Sequence, residues 1–153
     1  MRRTTVLCAL SAAALTATAI VIAGPAGAVG PAMAPSKLDK CGFTRKPNLS
    51  QWPGGTATMV PQGRIPAGKN TIVQGKAATG LPDGTRIELL RFNPSGSGCH
   101  GSLDRIGSGI ATTVKGGNYY INFQLDRQGS YGYALQAVSG SKSYEIEFQI
   151  TTP

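Results

Sequence analysis

The sequence predicts an all-β protein: a single antiparallel two-sheet β-sandwich of about seven strands, preceded by a cleaved leader and a Pro/Gly-rich tail. Three observations carry this. Apolar and polar residues alternate with period 2 along the second half. The pattern is cleanest over 144 to 151, where Tyr144, Ile146, Phe148 and Ile150 point in and Glu145, Glu147 and Gln149 point out. Turn signals built from Gly, Pro and Asp separate the runs. No helical period of useful length follows residue 28.

The chain has 153 residues, one domain's worth, and its start reads as an export signal. Met1-Arg2-Arg3 is a positive n-region, 4 to 23 is moderately apolar, Gly24-Pro25 breaks any helix, and Ala26-Gly27-Ala28 supplies small residues at a cleavage site. Cleavage is expected after Ala28, which gives a leader over 1–28, an extended Pro/Gly-rich segment over 29–55 and the sandwich over 56–153. The twin arginines lack the apolar-Lys continuation of twin-arginine export, so ordinary secretion is expected, with membrane contact only during export. Cys8 leaves with the leader and has no lipobox before it. Cys41 and Cys99 remain, and in an oxidising compartment an even pair predicts one disulfide. A metal at this pair would need more ligands, and His100 is the one histidine of the chain. No metal and no cofactor are expected.

Without the leader the net charge falls from +8 to +6, because Arg2 and Arg3 are lost. The remaining cations are scattered singly, with no basic run longer than Arg45-Lys46, so nucleic acid is not an expected partner. A diffuse positive surface favours solubility and inclines the protein toward anionic cell-wall polymers or lipid head groups. The expected state is a monomer.

Taken in order, 29 to 55 is punctuated by Pro31, Pro35, Pro47, Pro53 and Gly54-Gly55, which favours an extended tail, free up to Lys40 and pinned by Cys41. Trp52, the one tryptophan, is expected to cover an open end of the sandwich, with ligand stacking as the competing role. An edge strand over 56–60 ends at Pro61, and a second covers 71–78. Leu81-Pro82-Asp83-Gly84 is a turn. A third strand over 86–92 has an alternation that slips at Leu89-Leu90, which predicts a bulge or burial on both faces. The next ten residues, 93 to 102, read as the longest loop, and a strand or two follow over 103–114. Then Tyr119, Ile121, Phe123 and Leu125 alternate with Tyr120, Asn122 and Gln124, and a corner at Asp126-Arg127-Gln128-Gly129 leads into Tyr131, Tyr133, Leu135 and Ala137. At that corner Tyr131 is expected to be buried with its hydroxyl bonded to backbone near 125–129.

Val73-Gln-Gly-Lys-Ala77, Asp83-Gly-Thr-Arg-Ile-Glu-Leu-Leu90, Ala111-Thr-Thr with Gly117-Asn-Tyr-Tyr120, and Gly129-Ser-Tyr-Gly-Tyr133 together resemble a bacterial immunoglobulin-like or transthyretin-like (prealbumin-type) secreted module over about residues 70 to 150. The resemblance implies an Ig-like sandwich. There are departures from it: an immunoglobulin tyrosine corner has Asp four residues before its Tyr, whereas here position 127 is Arg and the Asp stands one place earlier at Asp126, Tyr133 stands where antibody-type domains keep a cysteine, and the third strand has no core tryptophan. Such a shape hosts adhesion, stalk, carbohydrate-binding and accessory roles, and does not select one.

No catalytic constellation is evident, and the chain is read as not an enzyme: Ser102 and Asp104 near His100 lie in a Gly-rich loop without an oxyanion-hole motif, and Glu145 with Glu147 reads as a solvated strand face. The function expected is a secreted non-enzymatic binding or accessory module that contacts a protein or cell-surface polymer through its loops. Its candidate binding loop holds Asn93, Ser95, Ser97, His100, Ser102, Asp104 and Arg105; the outer face with Tyr120, Asn122 and Gln124 is a second surface. Asp126, Gly129, Tyr131 and Tyr133 are assigned to the structural corner. Two alternatives stand beside this: an extracellular serine-proteinase inhibitor presenting Arg105-Ile106 to an acidic specificity pocket, and a structural component of an envelope assembly.

Overall fold

Strands with one apolar face must pair that face with another, and this chain does so with two antiparallel sheets. The computed structural model describes residues 32–62 and 64–153; the expected leader lies outside the described residues. The elements are α1 (Pro35–Lys40), β1 (Asn48–Gln51), β2 (Thr58–Val60), β3 (Asn70–Lys76), β4 (Arg86–Pro94), β5 (Gly101–Thr113), β6 (Asn118–Gln124), β7 (Ser130–Ser139) and β8 (Lys142–Thr151). Five strands form one sheet in the order β1-β8-β7-β4-β5, and three form the other in the order β2-β3-β6. Among the described residues no helix is long and apolar enough to cross a membrane.

The alternating residues meet between the sheets. Val73 of β3 and Tyr119, Ile121 and Phe123 of β6 share one core with Ile87, Leu89, Tyr133, Leu135, Ile146 and Phe148 of the larger sheet. Tyr133 stacks on Phe148 with ring centroids 5.9 Å apart and reaches Phe123 at 6.1 Å. Trp52 closes one end, as expected of it, and is only 1% exposed, which removes the ligand-stacking role. Its rings meet Tyr119 and Tyr144 edge-on, and its indole N–H donates to the Lys76 carbonyl over 3.0 Å.

The N-terminal segment departs from the expectation of an extended tail. Residues 35–40 form a helix, and 48–51 form an eighth strand paired with β8 where about seven were expected. A helix of six residues is too short to hold by itself. It holds here because the outer face of the larger sheet carries Leu90, Phe92 and Ala134, which need cover. Leu38 and Phe43 provide it, with Phe43 stacked on Phe92 at 4.8 Å. Gly132 on β7 makes the room, since a Cβ there would stand 2.8 Å from the Phe43 ring. The same cover corrects Gln149, read as solvent-facing: it is 2% exposed, and its amide donates to Asp39 of α1. The disulfide expected between Cys41 and Cys99 is present, with Cα atoms 5.2 Å apart, and ties this cover to the β4–β5 hairpin.

With both faces covered, β4 loses its alternation, and the expected irregularity falls where the sequence slips. Leu89 pairs with Ile110 but Leu90 with Arg105, so 106–109 bulge out of β5. The long loop expected over 93–102 is shorter, because pairing continues to Asn93 with Ser102 and Pro94 with Gly101. A six-residue turn, 95–100, is what remains.

β1 pairs beside β8, with Asn48 opposite Glu147 and Gln51 opposite Glu145. Burial, and then the charge of Glu145, hold the Glu147 pKa above its ordinary 4.5. The native chain therefore keeps that proton more tightly than the unfolded one. Stability from the protonated form is present below pH 4.5 and is lost as pH rises through the native pKa. Thermal melts should show Glu147→Gln above wild type in Tm at neutral pH, with the difference closing below pH 4.5; a difference that does not change with pH would refute this.

Candidate functional site

The candidate loop residues do not form one site. Asn93 and Ser102 both donate to Oδ2 of Asp104 over 3.1 Å, a closed set on the end of the hairpin. Ser95, Ser97 and His100 sit on the turn, where the Ser95 amide donates to the His100 carbonyl over 2.8 Å. Arg105 lies apart from them. Its guanidinium rests on Glu88, with Nε 2.8 Å from Oε1 as an ion contact without an aligned hydrogen bond, and Nη2 3.3 Å from Oε2. Glu88 also lies 3.6 Å from Arg86. Arg105 is thus a ladder residue opposite Leu90, and to enter a protease pocket it would have to leave that partner. Among the described residues no group of three or more His, Cys, Asp or Glu is placed to hold a metal.

The corner residues do meet, around a cation that the sequence reading passed over. Arg91, 5% exposed, donates to Asp126 and lies 5.4 Å over the Tyr131 ring and 5.6 Å over the Tyr133 ring. Tyr131 is buried as expected, but its partner is this guanidinium. The expected bond from its hydroxyl to backbone near 125–129 is not formed among the described residues. Burial pushes the Tyr133 hydroxyl up to about 12, against the opposing charge of Arg91. Gly129 has φ +111°, and a Cβ there would meet Ala32 at 2.5 Å, so the corner also seats the start of the covering segment. These contacts hold the fold together.

An open cleft of about 640 Å³ lies elsewhere, on the outer face of the three-stranded sheet. Strand register builds it. Thr58 pairs with Gln74 and Gln74 with Tyr120, which sets these three side chains in one row across β2, β3 and β6. A second row runs beside it. The Thr56 amide donates to the Lys76 carbonyl, Lys76 pairs with Asn118, and Asn118 bridges to Lys115. Thr112 and Thr113 of β5 form the side wall. Tyr120 is 50% exposed, whereas its neighbour Tyr119 is buried and its hydroxyl donates to the Thr56 carbonyl over 2.9 Å. Burial raises the pKa of Tyr119 well above the ordinary tyrosine value.

The turn at one end of the cleft is fixed from below. The Asp83 carboxylate accepts from the amides of Gly116 and Gly117 over 2.7 and 3.0 Å. These bonds, that from Gly117 foremost, hold its pKa below the usual carboxylate range. Tyr120 was assigned to an outer face from alternation alone. Gln74, Lys76 and Lys115 were missed because only register brings them beside it, and one strand's periodicity carries no register with another.

Fold and cleft define an all-β protein of two antiparallel sheets with a polar, cationic cleft on the smaller one. Comparisons with protein-family models, with curated proteins and with solved structures find no match to the chain.

Proposed function

We propose that the protein is a secreted, non-enzymatic binding module with an Ig-like sandwich, and that it holds a cell-surface polymer on the outer face of β2-β3-β6. The cleft carries this reading: an exposed aromatic ring, two amides, four threonines and two lysines line one concave surface. Polar groups converging on one concave surface beside an exposed ring are the setting of a ligand site. The export features of residues 1–28 and the disulfide are compatible with work outside the cell. The reading moves the contact from the 93–105 loop, where Asn93, Ser102 and Asp104 bond one another and Arg105 rests on Glu88, to the sheet face.

Co-sedimentation with isolated bacterial cell envelopes tests it. The purified protein should pellet with the envelopes, and Tyr120→Ala combined with Gln74→Ala should reduce the bound fraction about tenfold, as loss of a central contact does. A variant that pellets as well as wild type would rule out this face. No pelleting by wild type would rule out the function.

A further inference from the structure

We infer that the cleft takes an anionic polysaccharide, with a sugar ring on Tyr120 and its negative groups over Lys76 and Lys115; this rests on the binding reading above. The charge distribution is the first reason. β2, β3 and β6 contain no acidic residue, and of the residues that line the cleft the charged ones are Lys76 and Lys115. The two lysines flank Asn118 in a single cross-strand row, so by two strand spacings they stand about 10 Å apart at the backbone. Asp83, under the adjoining turn, is already engaged by Gly116 and Gly117.

The chemistry beside the cations is the second reason. Gln74 offers a donor and an acceptor, Asn118 keeps its amide oxygen and one N–H beside the bond it donates to the Gly116 carbonyl, and the threonine hydroxyls, Thr56 with one bond already accepted from the Lys76 amide, add further donors and acceptors, which matches neighbouring hydroxyls on a sugar. Tyr120 lies one row away, about 7 Å along the strand, and its exposed ring offers a flat apolar face to the C–H side of a pyranose. An acidic peptide would use the lysines, and its backbone could pair with the amides and hydroxyls, but an extended acidic chain offers no flat C–H face to Tyr120. Nucleic acid would call for a longer basic track with more stacking rings than the one tyrosine provides.

Affinity electrophoresis of the full-length mature protein against four probes tests the inference: polygalacturonate, neutral dextran, polyglutamate and a short single-stranded DNA. Polygalacturonate should retard the protein, with each of the other three binding about tenfold more weakly, a difference of one decade in Kd. Tyr120→Ala and the pair Lys76→Ala with Lys115→Ala should each lose about tenfold toward polygalacturonate. The pair Arg127→Ala with Lys142→Ala, off this face, should stay within about twofold. Unchanged near-UV circular dichroism identifies the variants that fold. Equal retardation by polyglutamate or DNA, or equal loss in the Arg127/Lys142 control, would overturn the inference in favour of unspecific charge. Equal retardation by dextran would overturn the anionic part and leave the polymer reading standing. Envelope pelleting without retardation by any probe would overturn this inference alone, and loss of both would remove the two together.

Discussion

Replacing Cys41 and Cys99 together by serine is expected to lower the stability of the folded chain by about 4 kcal/mol in the chain-entropy picture. The bond closes a loop with a sequence separation of 58, and losing it returns that freedom to the unfolded chain. The native side is also affected. α1 is too short to persist alone, and the cluster of Leu38, Phe43 and Phe92 is separate from the main core. Without the link, the cover over β4 and β7 should open before the sheets do. Urea unfolding read by Trp52 fluorescence should show the lower midpoint. Amide exchange should show α1 and the amide of Gln149, which donates to Thr44 over 2.8 Å, losing protection first. A double variant within about 1 kcal/mol of wild type would contradict this, as would loss of the sheets before the cover.

Trp52→Ala is expected to cost about 3 to 5 kcal/mol, the range for removing a large buried aromatic. The indole closes the core at the end where Tyr119 and Tyr144 meet it edge-on. Its N–H also holds the carbonyl of Lys76, a residue of the cleft, so the variant should lose ligand affinity as well as stability. Trp52→Phe keeps an aromatic ring in the core but loses the hydrogen bond to Lys76 and part of the indole's volume, and stability should fall by about 1 to 2 kcal/mol. Equal stability losses for Trp52→Ala and Trp52→Phe would show that packing is not the main term.

The strands were legible because their alternation is local: Tyr119 to Phe123 and Tyr144 to Ile150 each announce one buried face within a few residues. The slip at Leu89-Leu90 was also legible, and its cause is the second layer of cover on β4. α1 was not legible. Pro35-Ser-Lys-Leu-Asp-Lys40 presents a single apolar residue, so it has no period, and its helix depends on a tertiary contact at Leu38. Gln149 was misassigned for the same reason, since the sequence of β8 does not say that another segment lies on its polar face. The turn at 95–100 looked longer because Asn93, Pro94, Gly101 and Ser102 have little strand character, yet the ladder continues through them.

The candidate site divides in the same way. Tyr120 was placed on an outward face by alternation. The residues that give it a chemical setting come from β3 and from the turn after β5, and only the observed pairings of Gln74, Asn118 and Lys115 assemble the rows. By contrast, the 93–105 loop attracted attention through its serines, histidine and cysteine. The structure engages Asn93, Ser102 and Asp104 with one another and Arg105 with Glu88, so the polar residues nearest the strands are held by internal contacts, and Ser95, Ser97 and His100 are left on the turn.

Hydrogen exchange of the full-length mature protein with and without bound envelope polysaccharide tests most directly the claim that function resides on the smaller sheet. Protection is expected over 56–60, 72–76 and 112–122, the strands and turn that build the cleft, with 93–105 unchanged. Protection confined to 93–105 would contradict the account and return the binding site to the hairpin.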